Sequence, residues 1–93
     1  MTVKAAAGRV YGYDFYNPNT SGVYVQFFNA LIASVTPGST APTFSLFIPA
    51  LSGRDMYHTV PKSFATAITI CATTTATGGT APTLPIEARV DYL

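Results

Sequence analysis

Charge is scarce in this sequence. Only 10% of its 93 residues are Asp, Glu, Lys or Arg, against about 25% in an ordinary globular domain. The basic side chains Lys4, Arg9, Arg54, Lys62 and Arg89 are scattered. No run of them can neutralise a row of phosphates, so nucleic-acid binding is not expected. There is one cysteine, Cys71, one histidine, His58, and no tryptophan. A lone cysteine excludes an internal disulfide. One His and one distant Cys give no metal-ligand spacing. No apolar run reaches the ~18–20 residues that a membrane-spanning helix needs. The first residues, Met1 to Ala7, show no apolar stretch followed by a cleavage pattern, so no signal peptide is expected. The expectation is a chain made in a cytosol, with no membrane partner.

What the sequence does have is β pattern. Hydrophobic residues, alanine among them, make up 48% of it, and Thr, Ser and Gly fill much of the rest. Disorder needs low hydrophobicity and high charge, so the composition describes one folded domain over residues 1–93. A weakly charged surface resists association poorly, which points to an oligomer or a part of a larger assembly.

The centre of the pattern is Tyr11 to Leu31, YGYDFYNPNTSGVYVQFFNAL. Strand side chains alternate with period 2. Tyr11, Tyr13 and Phe15 therefore share one face of a first strand, and Val23, Val25 and Phe27 one face of a second. Between them Asn17-Pro18-Asn19-Thr20-Ser21-Gly22 is rich in turn formers. Residues 1–8 read as an edge strand or an extended arm. The segment 29–35 continues the second strand or forms a short helix. Phe44, Leu46 and Ile48 share a face of a strand that Pro49 ends.

Residues 49–55 read as a connection around Gly53, and 56–60 as a short strand before Pro61. The segment 63–71 is one strand with Phe64, Thr66, Ile68 and Ile70 on a common face. Residues 73–85 are a low-complexity loop. The last strand alternates Ile86, Ala88, Val90 and Tyr92 inward with Glu87, Arg89 and Asp91 outward, which implies an antiparallel sheet with one solvated face. The fragments 38–43 (GSTAPT) and 78–83 (GGTAPT) echo each other, as shared loop chemistry or as two matching corners. Strands between turn signals, with no long helix, predict a single antiparallel β-sandwich of about six to eight strands. Both immunoglobulin-like and jelly-roll connectivity fit the pattern.

Catalytic chemistry is hard to assemble from these residues. The carboxylates are Asp14, Asp55, Glu87 and Asp91. Glu87 and Asp91 flank Arg89 on one face, which reads as a charge ladder. Asp14 is placed to cap the Asn-Pro-Asn turn or to pair with a base, and Asp55 to pair with Arg54. The glycines lack a phosphate-binding pattern. No catalytic residue, cofactor or metal is expected. What remains is surface recognition, for which tyrosines are suited. Tyr16 and Tyr57 lie beside turns and are expected to be exposed. With the N-terminal Val3 and Lys4, the turn residues Asn17 and Asn19, and His58, they form the candidate interface set.

The runs Tyr11-Gly12-Tyr13-Asp14, Asn17-Pro18-Asn19 and Val25-Gln26-Phe27-Phe28-Asn29-Ala30, with the later Ser63 to Thr74, resemble those of small standalone β-sandwich proteins of tailed bacteriophages and prophages. The resemblance covers most of residues 2–93. It implies a structural virion protein that decorates or cements the capsid surface, made in the host cytoplasm. It further implies the major capsid protein or another virion protein as partner, and a homo-oligomer, with a trimer favoured. A neck, tail or fibre module is the alternative within the virion. A small carbohydrate-binding sandwich is the alternative outside it.

Overall fold

A computed structural model describes residues 1–93. Seven strands form: β1 (Thr2–Lys4), β2 (Gly8–Asn17), β3 (Val23–Phe28), β4 (Phe44–Ile48), β5 (Ser52–Phe64), β6 (Ile68–Thr73) and β7 (Glu87–Tyr92). They pair antiparallel into a four-stranded sheet, β1-β6-β3-β4, and a three-stranded sheet, β5-β2-β7. The two sheets pack as the single β-sandwich that the alternation predicts. The pairs β2–β5 and β3–β6, one in each sheet, match those between the second and fifth and the third and sixth strands of an immunoglobulin-type sandwich. The other strands depart from that plan, since β1 lies on β6, β4 on β3 and β7 on β2.

The core lies between the sheets. Val10, Tyr13 and Phe15 of β2 meet Val23, Val25 and Phe27 of β3, with Ile48, Phe64, Ile68 and Ile70 around them. Phe27 is the hub. Its ring lies 4.6 Å from Phe44 and about equally far from Phe15 (6.1 Å), Tyr13 (6.1 Å) and Phe64 (6.3 Å). Aromatic pairs at such separations add to the burial of their surface.

Several local readings need correction. Tyr11 does not share the inner face with Tyr13 and Phe15. It is a bulge, and Val10 takes the inner position instead. An extra residue of this kind shifts the alternation by one. Residues 52–64 are one long strand, where the sequence suggested a connection and a short strand. Pro61 is tolerated because β5 is an edge. The segment 63–71 is not one strand, because the chain changes sheets between Phe64 and Ile68. Both residues still reach the core. Ile32–Ser34 is a single 3-10 turn. Asp14 does not cap the turn after β2, and Arg54 turns away from Asp55 to donate to the Phe47 carbonyl at 3.0 Å.

Candidate functional site

The two outer faces of the sandwich differ. On the four-stranded sheet, the outward residues of β3 are Tyr24, Gln26 and Phe28. Loops cover them, and Gln26 is fully buried. Its Nε2 donates to Thr73 Oγ1 at 2.9 Å and to the Gly78 carbonyl at 2.9 Å. Ser45 Oγ donates to the Ala76 carbonyl at 2.6 Å. The two echoed fragments meet there. A Cβ built on Gly79 would run into the Pro37 carbonyl oxygen and lie 3.2 Å from the Gly38 nitrogen. Gly38 itself has φ +89°, a left-handed conformation that glycine adopts without penalty. Gly38 and Gly79 therefore mark a contact between the two loops.

The three-stranded sheet leaves its outer face bare. Directly opposite residues of neighbouring strands point to the same side, so register sets the layout. Asp14 lies between Asp55 and Arg89, Gly12 between Tyr57 and Asp91, and Tyr16 between Gly53 and Glu87. All four carboxylates of the chain thus share one face with Tyr16, Tyr57 and a single base, Arg89. Arg89 Nε reaches Asp91 Oδ1 at 3.5 Å. The Arg54 and Lys62 side chains reach the other sheet instead, Arg54 at Phe47 and Lys62 over the Phe44 ring. Asp14 and Asp55 are like charges placed opposite one another, an arrangement that weakens a sheet.

Gly12 makes room for Tyr57. A Cβ at Gly12 would stand 2.8 Å from Tyr57 Cδ1, so the ring crosses the backbone where no side chain intervenes. The Asp91 carboxylate lies beyond it. Hydrogen bonding to Asp91 and the repulsion of its charge push the Tyr57 hydroxyl above its ordinary value of 10.0. Tyr57 remains 71% exposed and Tyr16 39%.

The other candidate residues fare differently. Asn17 is fully buried and Asn19 nearly so. Asn17 Nδ2 faces the carbonyls of Ser21, Ile48 and Pro49 at 2.9, 3.2 and 3.1 Å. Its Oδ1 accepts from the Asn19 backbone N–H and from Asn19 Nδ2, both at 2.9 Å. These amides serve the fold, so neither asparagine presents its side chain to a partner. Val3 packs against the core in β1, so residues 2–4 are an edge strand and not a free arm. Lys4 is half-buried in the same strand. His58 is half-buried on β5, its ring 5.9 Å from Tyr13, and far from Cys71 on the other sheet. No three His, Cys, Asp or Glu side chains converge as metal ligands.

The structure thus brings Tyr16 and Tyr57 to one surface. It adds Asp14, Asp55, Glu87, Arg89 and Asp91, a grouping that the sequence did not signal beyond the last strand. No protein-family model matches this chain, and no curated protein or solved structure matches it either.

Proposed function

We propose that this chain is a structural virion protein that decorates the outer surface of a phage capsid, using the bare face of its three-stranded sheet. The sequence resemblance supports the virion role. The observation that favours this face is the placement of Asp14, Asp55, Glu87 and Asp91 around Tyr16 and Tyr57. Like charges opposite one another lower stability, so a face built this way fits a partner that brings positive charge. A broad sheet face with exposed tyrosines suits contact with another protein. Binding many equivalent sites on a shell stabilises the assembled state by mass action. Synthesis in the host cytoplasm and a place on the capsid surface follow from this reading. A neck, tail or fibre position is its variant.

The experiment is to add the purified chain to capsids that lack it and to follow co-sedimentation and thermal disruption. We expect binding that weakens with salt, shells that withstand higher temperature, and loss of both effects in Asp14→Asn/Asp55→Asn. Absence of binding to capsids, tails and intact particles alike would overturn the virion role. The same tyrosines beside carboxylates also suit a sugar ring, and a carbohydrate-binding module is the second reading. Glycan-array binding that Tyr57→Ala abolishes would favour it.

A further inference from the structure

An open strand edge is a template for another strand. Four strands have one: β1 and β4 in one sheet, β5 and β7 in the other. Three of the four are blunted. β1 is three residues long, with a register shift. β4 gives its Phe47 carbonyl to Arg54, and Pro49 follows it. β5 carries Pro61 and loses its register opposite the Tyr11 bulge. β7 has no proline, and its pairing runs without interruption from Glu87 to Asp91.

The direction of its free groups follows from its last pair. Leu93 N–H donates to the Arg9 carbonyl and Arg9 N–H to the Leu93 carbonyl, both at 3.0 Å. Backbone groups alternate in direction along an antiparallel strand. Those of Glu87, Arg89 and Asp91 therefore turn toward β2. Those of Ala88, Val90 and Tyr92 turn outward, toward the open edge.

We propose that two copies of this chain dimerise through β7, antiparallel about a two-fold axis, with Val90 facing Val90. In this register Arg89 lies opposite Asp91 of the second copy, and Asp91 opposite its Arg89. These are the non-hydrogen-bonded positions, where side chains come closest. Ala88 lies opposite Tyr92, the small side chain against the large one, on both sides of the axis. Every outward N–H and C=O of Ala88, Val90 and Tyr92 finds a partner.

Other two-fold registers do worse. Centring on Arg89 sets Arg89 against itself and Glu87 against Asp91. Centring on Asp91 sets that carboxylate against itself. Centring on Ala88 pairs only residues 87–89 of the strand and leaves Asp91 opposite Pro85, which has no N–H.

A second observation concerns the inner side of β7. The expected alternation turns Ala88 and Tyr92 inward, yet both are exposed, Tyr92 by 46%. They line a groove of about 230 Å³ between β7 and Met1, Thr2 and Val3. A neighbouring apolar groove of about 410 Å³ shares Met1 and Ala88 and extends to Val25 and Ile70. In the proposed dimer Tyr92 of the second copy lies beside Ala88 at this groove and covers it. The dimer stands independently of the virion role.

The test is sedimentation equilibrium of the full chain over a wide concentration range. We expect twice the 9.8 kDa chain mass at high concentration. Arg89→Asp should raise the dimer dissociation constant about tenfold or more, and Arg89→Asp/Asp91→Arg should restore it. Ala88→Pro removes an outward N–H that β2 does not use, so it should abolish the dimer and leave the far-ultraviolet circular dichroism unchanged. A wild-type chain that stays monomeric, or that forms a trimer, overturns the proposal. So does a dimer indifferent to Arg89→Asp or Ala88→Pro, or a folded double variant that fails to recover it.

Discussion

Asn19 grips the backbone of Leu84 at both ends. Its Oδ1 accepts the Leu84 N–H at 2.7 Å, and its Nδ2 donates to the Leu84 carbonyl at 2.9 Å. One side chain thereby does what a neighbouring strand would do, and ties the loop before β7 to the turn after β2. The Asn19 backbone carbonyl also accepts the N–H of Leu51, which turns with φ +51° between β4 and β5. Three connections at one end of the sandwich meet at this residue. Asn17 in turn holds Asn19.

Removing Asn17 should be costly. Asn17→Ala leaves the buried carbonyls around it and the Asn19 N–H without partners. We expect a loss of about 2–4 kcal/mol in urea unfolding. Asn19→Ala should cost less, about 1–3 kcal/mol, and should speed hydrogen exchange at Leu84. A loss under about 0.5 kcal/mol for Asn17→Ala would show that the network contributes nothing.

Phe27 lies at the meeting of the two sheets and is fully buried. Phe27→Ala should lower stability by about 3–5 kcal/mol, and Ile68→Ala by about 2–5 kcal/mol. Val60, 80% exposed on β5, serves as the control, and Val60→Ala should stay within about 0.5 kcal/mol of wild type. Equal effects at Phe27 and Val60 would contradict the core described here.

Gly79 touches Pro37 so closely that a methyl group must displace backbone. Gly79→Ala should destabilise by about 1–3 kcal/mol, as overpacking does. It should also loosen the loop over Gln26. Thermal melting and hydrogen exchange at Gly78 and Thr80 would register both effects. An unchanged melting temperature would separate the two loops.

Tyr57 should titrate above the ordinary phenol value, because Asp91 favours its protonated form. A folded value raised above the unfolded one contributes stability that is present below the unfolded pKa, about 10. That contribution is lost as pH rises through the folded pKa. Ultraviolet titration of the phenols, compared with Tyr57→Phe, isolates this group. Asp91→Asn should move it down. A value that Asp91→Asn leaves unchanged would show that the carboxylate does not act on it.

The parts of this fold that could be read from the sequence are those with clean alternation. Phe44, Leu46 and Ile48 turn toward the core, and Phe47 turns outward, where its ring lies 5.1 Å from Tyr24. Gly53 and Pro61 obscure β5 because both punctuate it, yet Gly53 keeps its place in the ladder opposite Tyr16 and Pro61 is tolerated at the sheet edge. The Tyr11 bulge has no signature of its own, since Tyr11 and Val10 fit the inner face equally well by type. Asn17 and Asn19 suit turns by type, yet Asn17 closes β2 and only Asn19 lies in the turn itself. Their burial depends on Ile48, Pro49 and Leu84, far away in sequence. The acidic face was hidden for the same reason, because Asp14, Asp55, Glu87 and Asp91 meet only through the register of three strands.

The decisive measurement for the proposed role is quantitative mass spectrometry of purified phage particles, which asks whether they carry this chain and in how many copies. We expect a copy number comparable to that of the major capsid protein, as decoration of equivalent sites on the shell requires. Absence from the particle, or a few copies only, would contradict capsid decoration.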